Sequence, residues 1–196
     1  MHYTLSDYIV DLVQNSVEAK ADEVTVDLYE SQDKGIKVCI SDNGCGMDDK
    51  TLARVRDPFF TDGIKHAKRR VGLGLSFLAQ LADQCKGSWD ITSEKNVGTS
   101  LSFSYDSKNI DAPPVGNLVN ALVTLMGQPG EFELKFNRIF DDDSWAVSRS
   151  EVADALGDLR DAQALIALRK YLRSMEEELI ENKKLFEQGG IDKWVK

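Results

Sequence analysis

From Leu5 to Ala19 the apolar residues Leu5, Ile9, Leu12, Val13 and Val17 recur at three- and four-residue spacing, which predicts an amphipathic helix. Thr4 or Ser6 can cap its start. Val24, Val26 and Leu28 then alternate with polar residues, and so do Ile36, Val38 and Ile40. The intervening SQDKG has turn chemistry, so these runs predict a hairpin. Asp48 is placed to cap a short helix over DDKTLARVR, and DPFFTD followed by KHAKRR predicts an exposed loop. Leu73 to Cys85 returns to helical period through Leu75, Leu78, Ala79 and Ala82. GSWDITSEK and GTSLSFSY, joined by the turn KNVG, predict two more strands. Helix, two strands, loop, helix, two strands is the order of a helix layer on one face of a mixed sheet.

Pro113–Pro114 punctuates the chain, because a residue before proline is driven out of helical geometry. Beyond it the pattern restarts with an apolar helix over Val115–Met126, a strand in EFELKFNRIF, a turn at DDDS and a strand in WAVSR. SRSE reads as a capping box, Ser148 and Glu151 being three apart. Ala162 to Phe186 predicts a long helix with Leu165, Leu168, Leu172, Met175 and Leu179 on one stripe. The expected organisation is one domain over 1–110 and a small α+β appendage over 113–196. The long helix has two uses open to it, packing on its own domain or pairing with a second copy in a homodimer.

Composition removes several function classes. At 196 residues with 42% hydrophobic and 29% charged residues, the chain can build a real core. A net charge of −9 argues against nonspecific nucleic-acid or anionic-membrane binding. No apolar run approaches membrane-spanning length, and MHYTLSDYIV lacks signal-peptide architecture. Cys39, Cys45 and Cys85 lack metal-ligand spacing. Together these point to a cytoplasmic protein with reduced thiols.

Four short segments carry the chemistry. In DLVQNSVEA, Asp11 and Asn15 are one helical turn apart. A carboxylate there can orient or deprotonate a water, and the amide oxygen is a hard neutral ligand suited to Mg²⁺. In SDNGCGM, Asp42 ends a strand and can accept from an exocyclic amine such as that of adenine. Gly44 and Gly46 let a ligand lie against bare backbone up to Met47. In VGLGLSF, Gly72 and Gly74, flanked by Leu73 and Leu75, open a helix whose N–H groups can receive phosphates. Gly98–Thr99 enters the last strand, its hydroxyl near enough to support the acid. Each segment alone reads as an ordinary turn or solvated face. Their order within one domain describes an ATP site, and none has the GxxxxGK[ST] pattern of a P-loop.

These residues resemble the GHKL superfamily of ATP-binding domains, which joins gyrase, Hsp90, histidine kinases and MutL. DLVQNSVEAKADEVTVDL is similar to the N-box of MutL-type members, and DPFFTD to the F-box of histidine kinases. The resemblance covers residues 1–106. It implies an α+β two-layer sandwich of the Bergerat type, with Mg·ATP between the helices and a lid. It assigns Asn15 to the metal, Asp42 to adenine, Gly44 and Gly46 to the pocket, Gly72 and Gly74 to the phosphates, and Thr99 to the support of Asp42. From the residues themselves, Lys65, Lys68, Arg69 and Arg70 precede the second glycine pair and have two uses open to them, neutralising the β/γ-phosphates or forming a solvated basic loop. Asp11 departs from the pattern, since hydrolysing members carry Glu there and many histidine kinases carry Asn. The shorter acid predicts slow hydrolysis, or binding without efficient turnover.

The tail, APPVGNLVNALVTLMGQPGEFELKF and the helical segment SEVADALGDLRDAQALIALRKYLRSMEEEL, resembles stand-alone histidine-kinase-like ATP-binding proteins encoded beside bacterial iron-only hydrogenases. That implies a bacterial regulatory protein with a protein partner, hydrogenase-related components included. The leading expectation is an ATP-dependent switch or regulatory ATPase. Its alternatives are a kinase acting in trans on a partner, and a nonenzymatic ATP-binding module.

Overall fold

The structure, a computed structural model, describes residues 4–56, 78 and 81–189. The first helix, α1, runs Leu5–Glu18. Thr4 is its N-cap, and the Asp7 carboxylate accepts from Thr4 N at 2.8 Å and from Thr4 Oγ1 at 2.7 Å. Its stripe of Leu5, Ile9, Leu12 and Val13 is buried. The hairpin follows as β1 (Glu23–Ser31) and β2 (Gly35–Asp42), antiparallel, with Val24 opposite Asp42. Val24, Val26, Leu28 and Val38 are fully buried, each contributing about 1.5–3 kcal/mol relative to an exposed position.

Helix α2 (Asp49–Arg56) starts where expected: Asp48 accepts from Thr51 N at 2.8 Å. The hydroxyl and amide of Thr51 hold the Asp48 carboxyl below its ordinary pKa. Arg56 fixes the other end by donating from Nη2 to the Ile91 carbonyl at 2.6 Å. Of the helix expected over Leu73–Cys85, Leu78 and residues 81–84 are described as helical. Strands β3 (Ser88–Glu94) and β4 (Gly98–Tyr105) form the second antiparallel pair.

The segment beyond Pro114 extends the same sheet. Strand β5 (Glu133–Phe140) pairs in parallel with β1, and β6 (Asp143–Ser148) pairs antiparallel with β5. The six-stranded order is β3-β4-β2-β1-β5-β6. The sheet is mixed because of that one parallel junction; residues 1–110 by themselves contribute antiparallel pairs. One hydrophobic cluster runs through both halves, from Leu5 to Leu179.

Helix α3 (Leu118–Met126) begins three residues later than the apolar pattern predicts, with Asn117 as N-cap accepting from Asn120 N. Pro114 and Val115 are otherwise engaged, their carbonyls accepting from Leu5 N and Ser6 N at 2.9 Å. Helix α4 (Arg149–Leu156) starts on the expected capping box, Ser148 Oγ donating to Glu151 Oε2 at 2.8 Å. Helix α5 runs Ala162–Gly189. Leu168 and Leu172 of its stripe are fully buried in the chain's own core, which is the packing use of that helix. Among the described residues no helix is long and apolar enough to cross a membrane.

Candidate functional site

The alternation that buries Ile36, Val38 and Ile40 continues to Asp42, and that of β4 runs from Tyr105 and Phe103 through Leu101 to Thr99. Asp42 and Thr99 are direct partners across β2 and β4, and Ser93 is opposite Thr99 on β3. Three polar side chains thus occupy the helix-facing side of the sheet at one end. There the apolar series stops and the residues are half-buried. That is where a polar ligand can meet strand-borne groups without displacing core.

Helix α1 reaches this end with its last turn. Ser16 is buried on the apolar face of α1, and its hydroxyl donates to Asp42 Oδ2 at 2.7 Å. Gly44 N donates to Asp42 Oδ1 at 2.9 Å. The carboxylate is therefore held through both oxygens, and each keeps acceptor capacity for a ligand. Cys45 N closes the junction by donating to the Ala19 carbonyl at 2.9 Å. Asn43 faces the other way, its Oδ1 accepting from Asp22 N and Glu23 N at the entry of β1.

The glycines of the loop have reasons inside the protein. Gly46 has φ +57°, and a Cβ there would lie 1.9 Å from the Glu94 carbonyl oxygen. Gly98 brings β4 so close that a Cβ would lie 1.9 Å from the Asp42 carbonyl oxygen. Ser93 ties the pieces together. It accepts from Met47 N at 2.9 Å, and its oxygen is 2.9 Å from both the Gly98 carbonyl and Thr99 Oγ1. The hydroxyl of Thr99 is thus bonded to Ser93, while its backbone pairs with Asp42.

Asp42, Gly44, Gly46, Met47 and Thr99 are brought together. Asp11 and Asn15 are on the exposed face of α1, one turn apart and next to the Ser16 that holds Asp42. Lys65, Arg70, Gly72, Leu73, Gly74 and Leu75 lie outside the described residues. Ser16 and Ser93 are additions that the motifs did not single out. Their signal was present nonetheless: both are polar residues at inward positions of an apolar pattern, and a buried hydroxyl needs a partner. All three cysteines are free; Cys85 is buried, which raises its thiol pKa, and Cys45 is exposed in the loop.

As to metal, no group of three or more His, Cys, Asp or Glu side chains among the described residues can hold an ion. Asn15, exposed on α1, carries a hard amide oxygen of the kind Mg²⁺ takes alongside phosphates and water. A cavity of about 510 Å³ lies elsewhere, at the opposite end of the sheet.

The mixed six-stranded sheet with its helices has the fold of a GHKL-type ATP-binding domain. The sequence profile of the histidine kinase-, DNA gyrase B-, and HSP90-like ATPase family matches residues 4–109, and the chain belongs to that family. It is 32% identical over 104 residues to a putative sensor protein of Shewanella frigidimarina, a match covering 52% of this chain and 15% of that protein. It is 29% identical over 105 residues to sporulation kinase A of Bacillus subtilis, covering 53% of this chain and 17% of the kinase. A sensor histidine kinase of Bacillus subtilis, YxdK, is 27% identical over 104 residues, covering 51% and 32%. The chain therefore spans a third or less of the length of these relatives. Among solved structures, the N-terminal domain of a DNA repair protein shares the fold at a TM-score of 0.51 and 15% identity, covering 83% of this chain and 58% of that one.

Proposed function

We propose that this chain is a regulatory ATP-binding protein that holds Mg·ATP at the Asp42 end of the sheet and acts as a slow ATPase or ATP-dependent switch in the cytoplasm. The observation that carries the reading is the Asp42 carboxylate held by Ser16 and Gly44, opposite Thr99. A carboxylate fixed this way accepts the exocyclic amine of adenine without reorganising, which is the useful form of an acceptor in recognition. Asn15 contributes its amide oxygen toward the metal, which when bound neutralises phosphate charge. Asp11, one turn earlier, takes the position of a base that orients the attacking water. Lys65, Arg70 and the Gly72–Gly74 turn belong to the same proposal as the phosphate-facing side.

The second reading is phosphoryl transfer in trans, favoured by the kinases among the similar proteins. This reading places the acceptor on a partner protein. The likeness of the tail to proteins encoded beside iron-only hydrogenases supports a partner of that system.

Binding and turnover of γ-labelled ATP with Mg²⁺ test both readings, with Asn15→Ala and Asp42→Asn as controls. Saturable binding lost in Asp42→Asn is the expected result. Label released as phosphate marks the ATPase, and label on an added partner marks the kinase. No binding by the unmodified chain overturns both.

A further inference from the structure

The polar row that closes the helix-facing side of the sheet crosses three strands, with Asp42 on β2, Thr99 on β4 and Ser93 on β3. A hydroxyl has one proton to give and two lone pairs to accept with. Ser93 Oγ is 2.9 Å from Met47 N, which only donates. It is 2.9 Å from the Gly98 carbonyl, which only accepts and so takes the single Ser93 proton. Its third contact, also at 2.9 Å, is Thr99 Oγ1. All three contacts are hydrogen bonds in one assignment alone, with the second lone pair of Ser93 accepting the Thr99 proton. The Thr99 proton is thereby committed inside the chain, and the hydroxyl has lone pairs alone to offer a ligand.

Asp42 is the other half of the pair. Its two oxygens accept from Ser16 Oγ at 2.7 Å and from Gly44 N at 2.9 Å, which fixes the carboxylate. A carboxylate has nothing to donate. Two fixed acceptors therefore stand on directly opposed strand positions. The Cβ atoms of such partners are about 4.5–5.5 Å apart. Two hydrogen bonds of about 2.9 Å, diverging from one trigonal nitrogen, reach acceptors about 5 Å apart. The spacing suits both hydrogens of a single unsubstituted amine.

We propose that Ser93 is a positioning residue for purine specificity. By taking the Thr99 proton it makes Thr99 and Asp42 a pair of acceptors for the two hydrogens of the adenine exocyclic amine. It thereby sets the site against a purine with a keto oxygen in that place. The inference rests on the reading of the Asp42 end as the ATP site. A keto oxygen there faces two acceptors with no proton between them, and unpaired polar groups of this kind reject an analogue more strongly than a missing contact does. Ser93 acts through the direction of the Thr99 O–H bond.

The test is titration of the full chain, with Mg²⁺, by the β,γ-imido forms of ATP and of ITP, which carries a keto oxygen in place of the amine. The unmodified chain is expected to prefer the ATP form by at least about a hundred-fold, roughly ten-fold for each acceptor. Ser93→Ala frees the Thr99 proton to meet the keto oxygen, and the preference should fall about ten-fold. Thr99→Val removes the acceptor while Ser93 keeps Met47 and Gly98, so it should lower the same ratio about ten-fold without disturbing β3. A Ser93 of purely structural use weakens both nucleotides alike and leaves their ratio unmoved. An unmoved ratio in folded Ser93→Ala or in Thr99→Val, or a preference below about ten-fold in the unmodified chain, overturns this proposal and leaves the ATP site standing. Binding of neither nucleotide by the unmodified chain overturns the ATP reading and this inference with it.

Discussion

Ser16 and Asp42, twenty-six residues apart, are joined by a 2.7 Å hydrogen bond between the last turn of α1 and the end of β2. The bond couples the helix that bears Asp11 and Asn15 to the strand that bears the proposed base-reading acid. Ser16→Ala removes one donor from Asp42 at a cost of about 1 kcal/mol, the net value of such a bond. Titration calorimetry with a nonhydrolysable ATP analogue should then show a dissociation constant raised about five-fold. An unchanged constant would mean that Asp42 does not depend on Ser16 for its orientation.

Asp11 governs turnover in the proposed function. Asp11→Glu extends the carboxylate by one methylene toward the water, and phosphate release at saturating ATP should rise about ten-fold, a modest share of what a placed base contributes. A rate that is unchanged or lower at full ATP occupancy counts against a base at this position.

Gly46 separates a structural from a ligand-contacting role. With φ +57° and the Glu94 carbonyl oxygen 1.9 Å from a built Cβ, Gly46→Ala should destabilise the fold by about 2–3 kcal/mol. Thermal unfolding should show this as a midpoint lowered by about 5–10 °C. An unaltered midpoint with weakened ATP binding would assign the glycine to the ligand instead.

Tyr105 gives the stability a signed pH dependence. Its hydroxyl donates to the Pro113 carbonyl at 3.2 Å. Burial foremost, and then the Glu30 carboxylate, raise its pKa from the ordinary 10.0. The unfolded chain ionises this tyrosine first, so above about pH 10 it binds fewer protons than the native state and stability falls as pH rises. Below that pH the contribution is fully present. Urea midpoints measured from pH 8 to 11 should fall less steeply in Tyr105→Phe than in the unmodified chain. Parallel slopes would remove Tyr105 from the alkaline transition.

The elements were legible because their signals are local. Three-and-four spacing in α1, alternation in β1 and β2, and the Ser148–Glu151 and Asp48–Thr51 caps each lie within a few residues. The start of α3 was not, because Pro114 and Val115 give their carbonyls to the first turn of α1, more than a hundred residues away. Nor was the joining of the segment after Pro114 to the sheet. A β-strand sequence specifies which face is buried, whereas its neighbour is decided by the edge left open, here that of β1.

The same division holds at the site. Asp11, Asn15, Asp42 and the glycines could be named from the chain alone, since acids, amides and bare backbone advertise their chemistry by type and spacing. The hydroxyls of Ser16 and Ser93 became functional candidates through the partners that folding brings to them. Arg138 reads in sequence as one more charge in an alternating strand, and only folding buries it beside Glu30 and Glu176. Sequence by itself determined what each residue can donate or accept. Tertiary structure decided which of those capacities are satisfied within the chain and which are left for a ligand, because hydrogen bonding depends on distance and burial that only packing sets.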